Sequence, residues 1–138
     1  MESRQFNLMV ALVARGDEKQ VIKQSVLYAE RFNARLTAIH VNQPALSQPK
    51  GAVEKIISET DIKNRFIDYG FEYFLENLDI IIEYGEGISE IIKKYSEDMN
   101  LIILGHRKMS LFKSHIMDSV DEDIINLVSC PVLVVQKL

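Results

Sequence analysis

The residues whose spacing could support chemistry lie between Gly105 and Ser119. Gly105 follows a short apolar run at 101–104, and Ser119 with Glu122 three residues later predicts the start of a helix. A glycine at a strand end, followed by a helix start, is a common way to build an anion pocket from backbone N–H groups. The segment therefore predicts a pocket for an anionic group.

Basic residues cluster in the same segment, although the chain as a whole is acidic. His106, Arg107, Lys108, Lys113 and His115 lie within ten residues of one another. One interpretation is a site for an anion or an acidic partner. The other, which we favour, is a solvated surface loop, because short runs of charge are usually that.

Short apolar runs that alternate with helical patterns must position this segment. The strand candidates are residues 8–13, 35–41, 78–82, 101–104 and 132–135. Nearly continuous apolar runs are typical of strands that are covered on both faces. The run at 35–41 alternates more, which favours a place nearer an edge of the sheet.

Four helical patterns separate these runs. In the first, Asp17 and Gln20 match a capping box, and in the second, from 52 to 74, Gly70 predicts an irregularity. The apolar faces of the first, third and last helices are predicted to be Val21, Ile22, Val26, Ala29 and Phe32; Ile88, Ile91, Ile92, Tyr95 and Met99; and Val120, Ile124, Leu127 and Val128.

The alternation predicts one α/β domain over residues 1–138, a three-layer, doubly wound, five-stranded parallel sheet. Ligands of such sheets bind at the carboxyl ends of strands where the winding reverses. That rule indicates the tips after Val13, Val41 and Leu104. His40, beside Val41, is expected to be a hydrogen-bonded structural histidine.

Composition limits the classes of function. The chain has 138 residues, 47% of them hydrophobic, a net charge of −4 and one cysteine. Cys130 cannot form an internal disulfide and is expected to be a small core residue. No apolar run is long enough for a membrane span, and the N-terminal residues do not resemble a signal peptide. These features predict a cytoplasmic protein with no nucleic-acid or membrane partner.

Several motifs occur in the order and at the spacing of a known family. They are the strand end His40-Val41, the Gly85-Glu86-Gly87 turn, the strand end Ile103-Leu104-Gly105 and the closing run from Cys130-Pro131 to Val135. Over nearly its whole length the chain resembles the universal stress protein family. The resemblance implies an adenine nucleotide alpha hydrolase-like fold and a regulatory role in the stress response. It also implies a homodimer through the last strand, at Val132, Leu133, Val134, Val135 and Gln136.

Members of that family that bind nucleotides carry a glycine signature: Gly, two residues, Gly, nine residues, Gly, then Ser or Thr. Here Gly105 fills the first position and Ser119 the last, but Lys108 and Asp118 replace the second and third glycines. The family commonly has an Asp at the end of the first strand, where this chain has Val13. Val41 matches the position beside the adenine.

These replacements oppose binding of a triphosphate. A glycine allows close backbone approach and a positive φ, which any Cβ obstructs or penalises. Lys108 offers a compensating charge, but Asp118 would repel a nearby phosphate by roughly 1 to 4 kcal/mol. Asp118 also suits the start of a helix, where a negative side chain interacts favourably with the positive end of the helix dipole.

Two functional hypotheses follow. The first is a non-enzymatic, homodimeric regulatory module with no firm ATP cofactor. The alternative is a protein that binds ATP or another adenine nucleotide, with Lys108 and Arg107 in place of the missing glycines. The sequence offers no Ser-His-Asp arrangement, no P-loop and no metal cluster, so no catalytic or metal-binding residue is predicted.

Overall fold

The protein is described by a computed structural model that covers residues 5–44, 55–107 and 119–137. Strands and helices alternate through these ranges. The strands are β1 (Asn7–Ala11), β2 (Arg35–Asn42), β3 (Leu78–Tyr84), β4 (Leu101–Arg107) and β5 (Val132–Lys137). The helices are α1 (Lys19–Arg31), α2 (Glu59–Asp68), a 3₁₀ helix (Glu72–Asn77), α3 (Ile88–Ser96) and α4 (Ser119–Leu127).

The strands form one parallel sheet of five strands in the order β3-β2-β1-β4-β5. The predicted α/β architecture is confirmed. The chain leaves β1 toward β2 on one side and leaves β4 toward β5 on the other. The winding therefore reverses between β1 and β4, which is where sheets of this type bind ligands.

Two apolar layers cover the sheet. Val21, Ile22 and Val26 of α1 and Ile62 and Phe66 of α2 are buried on one face. On the other face, Ile92 of α3 and Ile124 of α4 pack against the sheet's other buried side chains. None of the described helices is long and apolar enough to cross a membrane.

Some predicted strand positions were wrong. The strand at Arg35–Asn42 lies inside the sheet, and β3 and β5 form its edges. β1 ends at Ala11, so Val13 belongs to the following loop. β4 continues through Arg107, so His106 and Arg107 lie in a strand and not in the predicted basic loop. Residues 108–118, with Lys108, Lys113, His115 and Asp118, lie outside the described ranges.

The predicted helix starts also need correction. The N-cap of α1 is Glu18, without a side-chain cap bond, while the Asp17 carboxylate accepts the Lys19 N–H at 2.9 Å. Ser119 lies inside α4 as its first residue, and not before the helix as the predicted N-cap. At α1 the observed N-cap lies one residue after the predicted one.

The predicted apolar faces hold only in part, since Phe32 and Leu127 are exposed. The irregularity predicted at Gly70 is confirmed: α2 stops at Asp68, Gly70 adopts φ +93°, and a 3₁₀ helix follows.

Candidate functional site

The site residues predicted near the sheet meet at the edge where the parallel strands end, which we call the carboxyl edge. Ala11 pairs with Ile39 on one side and with Leu104 on the other. Val13, Val41 and Gly105 follow these residues by one or two positions, so they lie at the same edge. Arg107 is the last residue of β4, and Ser119 is the first residue of α4.

Gly105 has a packing reason to be glycine. A Cβ at this position would lie 2.5 Å from Cγ2 of Val21 and 2.6 Å from Cε of Lys137. The lysine stem can move, but Val21 is fully buried and cannot give way easily. The close approach of α1 to β4 therefore accounts for this glycine without any ligand.

The loop after β1 is organised by a buried carboxylate. Glu18 is 1% exposed, and its two oxygens accept the N–H groups of Val13 and Ala14, each at 3.0 Å. Ala14 adopts a positive φ of +60°, a left-handed conformation that is uncommon for residues other than glycine. The Val13 side chain, at the position where the family commonly has Asp, is 47% exposed.

Arg65 of α2 completes this cluster. Its Nη2 lies 2.9 Å from Oε1 of Glu18 and donates a hydrogen bond to the Gly16 carbonyl at 2.7 Å. The Glu18 N–H in turn donates to the Tyr69 hydroxyl at 3.0 Å. The loop after β1 is thus tied to α2 through both the side chain and the backbone of Glu18.

Sequence reasoning missed Glu18 and Arg65, although a signal was present. Arg65 falls between Ile62 and Phe66 on the buried stripe of α2. A charge within an apolar stripe is expensive unless a partner neutralises it, so it indicates a buried acidic partner elsewhere in the chain. The acidic residues at the start of α1 were the nearest candidates by topology.

Polar side chains at the tip of β2 also form hydrogen bonds within the protein. Val41 is buried and pairs with Glu83 of β3. His40 is structural, as predicted: its Nδ1–H donates to the Leu12 carbonyl at 2.8 Å. The Asn42 amide forms two hydrogen bonds of 2.9 Å with the backbone of Ile57, which fastens the segment before α2 onto this tip.

Three further groups lie near the ends of the strands. His106 Nδ1 lies 3.6 Å from the Asp121 carboxylate of α4. A hydrogen bond from the Tyr95 hydroxyl to the Glu83 carboxylate raises the pKa of that tyrosine. Partial burial raises the pKa of the Cys130 thiol, which fits the predicted packing role.

Similar structures support the fold. The chain is 21% identical to the universal stress protein UspA from Lactobacillus plantarum, with a TM-score of 0.66 over 97% of this chain and 99% of that chain. It is 18% identical to a universal stress protein from Archaeoglobus fulgidus (TM-score 0.69, 95% and 98% covered). A third, 14% identical, is a universal stress protein in complex with cAMP (TM-score 0.65, 96% and 98% covered).

No curated protein matches the chain significantly. The family model described as "Universal stress protein family" matches residues 7–136, which is nearly the whole chain. The matched range runs from the first residue of β1 to the second-last residue of β5. The chain therefore belongs to the universal stress protein family.

Proposed function

We propose that this protein is a cytoplasmic, homodimeric regulatory module of the stress response that does not use ATP as a cofactor and has no catalytic activity. It keeps the scaffold of a nucleotide-binding fold. Its interactions at the carboxyl edge serve to hold the fold together.

The observation that carries this proposal is the internal use of polar groups at the carboxyl edge. The amides of Val13 and Ala14 bind Glu18, the Leu12 carbonyl binds His40, and the Asn42 amide binds Ile57. A ligand must replace such bonds before it gains its own, which costs affinity. The glycine at position 105 is explained by Val21, which leaves no room for a Cβ there.

Three residues of the sequence also oppose binding of a triphosphate. Lys108 and Asp118 stand where the family signature has glycines, so both would add a Cβ where a triphosphate needs close backbone approach. The carboxylate of Asp118 adds repulsion toward a phosphate. At the position where the family commonly has Asp, this chain has Val13, whose side chain cannot form hydrogen bonds.

Calorimetric titration of magnesium-ATP into the unmodified protein tests this proposal. We expect no binding at micromolar concentrations. A clean micromolar isotherm with one nucleotide per chain would overturn the proposal.

A second candidate function is binding of an adenine nucleotide with a single phosphate. One structure similar to this chain is a complex with cAMP, which carries one phosphate and needs fewer donors than ATP does. Arg107 and Lys108 would serve as the cationic partners. Titration of cAMP and AMP beside ATP separates the two proposals: binding of only the monophosphates supports this second one.

The homodimer is proposed through the edge strand β5, at Val132, Leu133, Val134, Val135 and Gln136. Within the described ranges, β5 pairs on one side with β4 and forms an edge of the sheet. An edge strand offers free backbone groups to a second copy. Val134 is only half-buried, which suits a contact that a partner would complete.

Light scattering tests the dimer. We expect a dimer for the unmodified protein and a monomer for Val134→Lys, because a charge in the interface would be desolvated without a partner. Circular dichroism of the variant controls for folding. A monomer at high concentration of the unmodified protein would remove the dimer from the proposal.

A further inference from the structure

We infer that the tip of β1 is an anion-binding site that the chain fills with its own Glu18 carboxylate. Glu18 acts there as an internal ligand that holds the loop after β1 closed. Removal of this side chain should leave a site that accepts a small carboxylate. The inference does not depend on whether the protein binds nucleotides.

The backbone of the loop has the shape of an anion site. Val13 and Ala14 present two successive N–H groups to one carboxylate, each at 3.0 Å. Positive φ angles at Ala14 (+60°) and Gly16 (+66°) curl the chain around that point. Successive N–H groups in such a curled conformation form a concave site for anions.

The site also has a positive charge, which Arg65 supplies. Arg65 places its guanidinium 2.9 Å from Glu18 and is itself held by the Gly16 carbonyl at 2.7 Å. Arg65 Nε is buried and, among the described residues, has no hydrogen-bond partner, so the guanidinium keeps a donor to spare. With Glu18 removed, the two amides and this guanidinium would surround an empty space without an anion.

Closure has a consequence for ligands of the carboxyl edge. While Glu18 is in place, no phosphate or carboxylate of a ligand can use these two amides. The tip of β1 then offers a ligand mainly the exposed Val13 side chain. By occupying both amides, Glu18 makes the protein surface at the tip of β1 less polar toward a ligand.

Chemical rescue tests the inference. Glu18→Ala should lower Tm by several degrees, and sodium formate should restore a large part of that loss with a saturable dependence on concentration. Sodium chloride at equal ionic strength should not. Glu30→Ala is the matched control, because Glu30 is an exposed glutamate of the same helix whose carboxylate accepts a hydrogen bond from Tyr73.

The inference fails if formate shifts the Tm of Glu18→Ala no more than that of Glu30→Ala. If Glu18→Ala does not fold, amide hydrogen exchange in the unmodified protein and in Glu18→Gln tests the inference instead. In the unmodified protein the amides of Val13 and Ala14 should exchange at least ten-fold more slowly than that of exposed Arg15. In Glu18→Gln, which keeps the shape but has one acceptor fewer, at least one of them should lose that protection. Fast exchange of both in the unmodified protein would overturn the inference.

Discussion

Two arginine–carboxylate pairs among the described residues differ in burial. Arg65 and Glu18 have side chains that are 20% and 1% exposed, while those of Arg35 and Asp79 are 44% and 55% exposed. A surface pair gains little because water screens its attraction. A buried pair is different, since loss of one partner strands the other charge away from water.

Arg65→Ala should therefore be far more damaging than Arg35→Ala. We expect Arg65→Ala to lower the free energy of unfolding by roughly 3 kcal/mol, because Glu18 remains buried without its cation. Arg35→Ala should leave stability close to that of the unmodified protein. Urea unfolding measures both. Equal losses in the two variants would contradict the assigned role of Arg65.

Gly105→Ala should destabilise the protein by roughly 1 to 3 kcal/mol, because its methyl group would overlap the buried side chain of Val21. The double variant Gly105→Ala with Val21→Ala is the control, since it removes the atom that the methyl group meets. Its loss should be smaller than the sum of the two single losses. Additive losses would exclude the clash as the cause.

At the scale of elements, α2 begins with the most complete cap in the described part of the chain. The Ser58 hydroxyl accepts the Asp61 N–H at 3.2 Å, and the Asp61 carboxylate accepts the Ser58 N–H at 2.8 Å. The backbone and then the hydroxyl of Ser58 lower the pKa of Asp61. The helix that carries Arg65 is thus fixed at its start by a charged group.

This cap predicts a dependence on pH. A carboxyl whose pKa is lowered by folding stabilises the protein above its ordinary pKa, and the contribution is lost as pH falls through the folded-state value. Asp61→Asn should be less stable than the unmodified protein at neutral pH, and the gap should close in acid. Urea unfolding at a series of pH values measures it. A gap independent of pH would be inconsistent with a titrating cap.

Ser58→Ala is the companion variant. It should lose about 1 kcal/mol at neutral pH, since the Asp61 N–H loses its acceptor. It should keep most of the pH dependence, because the backbone N–H of residue 58 still donates to Asp61.

At the scale of the whole molecule, the sequence predicted the architecture but not the interactions that close its carboxyl edge. Apolar runs and their alternation were sufficient for five parallel strands and their covering helices. Strand ends were missed because the ladder extends as far as a neighbour can pair, as His106 and Arg107 of β4 do with β5. The Glu18–Arg65 pair joins residues 47 positions apart (65 − 18), a contact that local pattern cannot specify.

The most direct test of the central claim compares ATP binding by the unmodified protein with that of the variant Lys108→Gly with Asp118→Gly. If these side chains close a nucleotide cradle whose scaffold remains, calorimetry should detect no micromolar binding before the substitutions and measurable binding after them. Tight binding of ATP to the unmodified protein, weakened or unchanged in the glycine variant, would contradict the account.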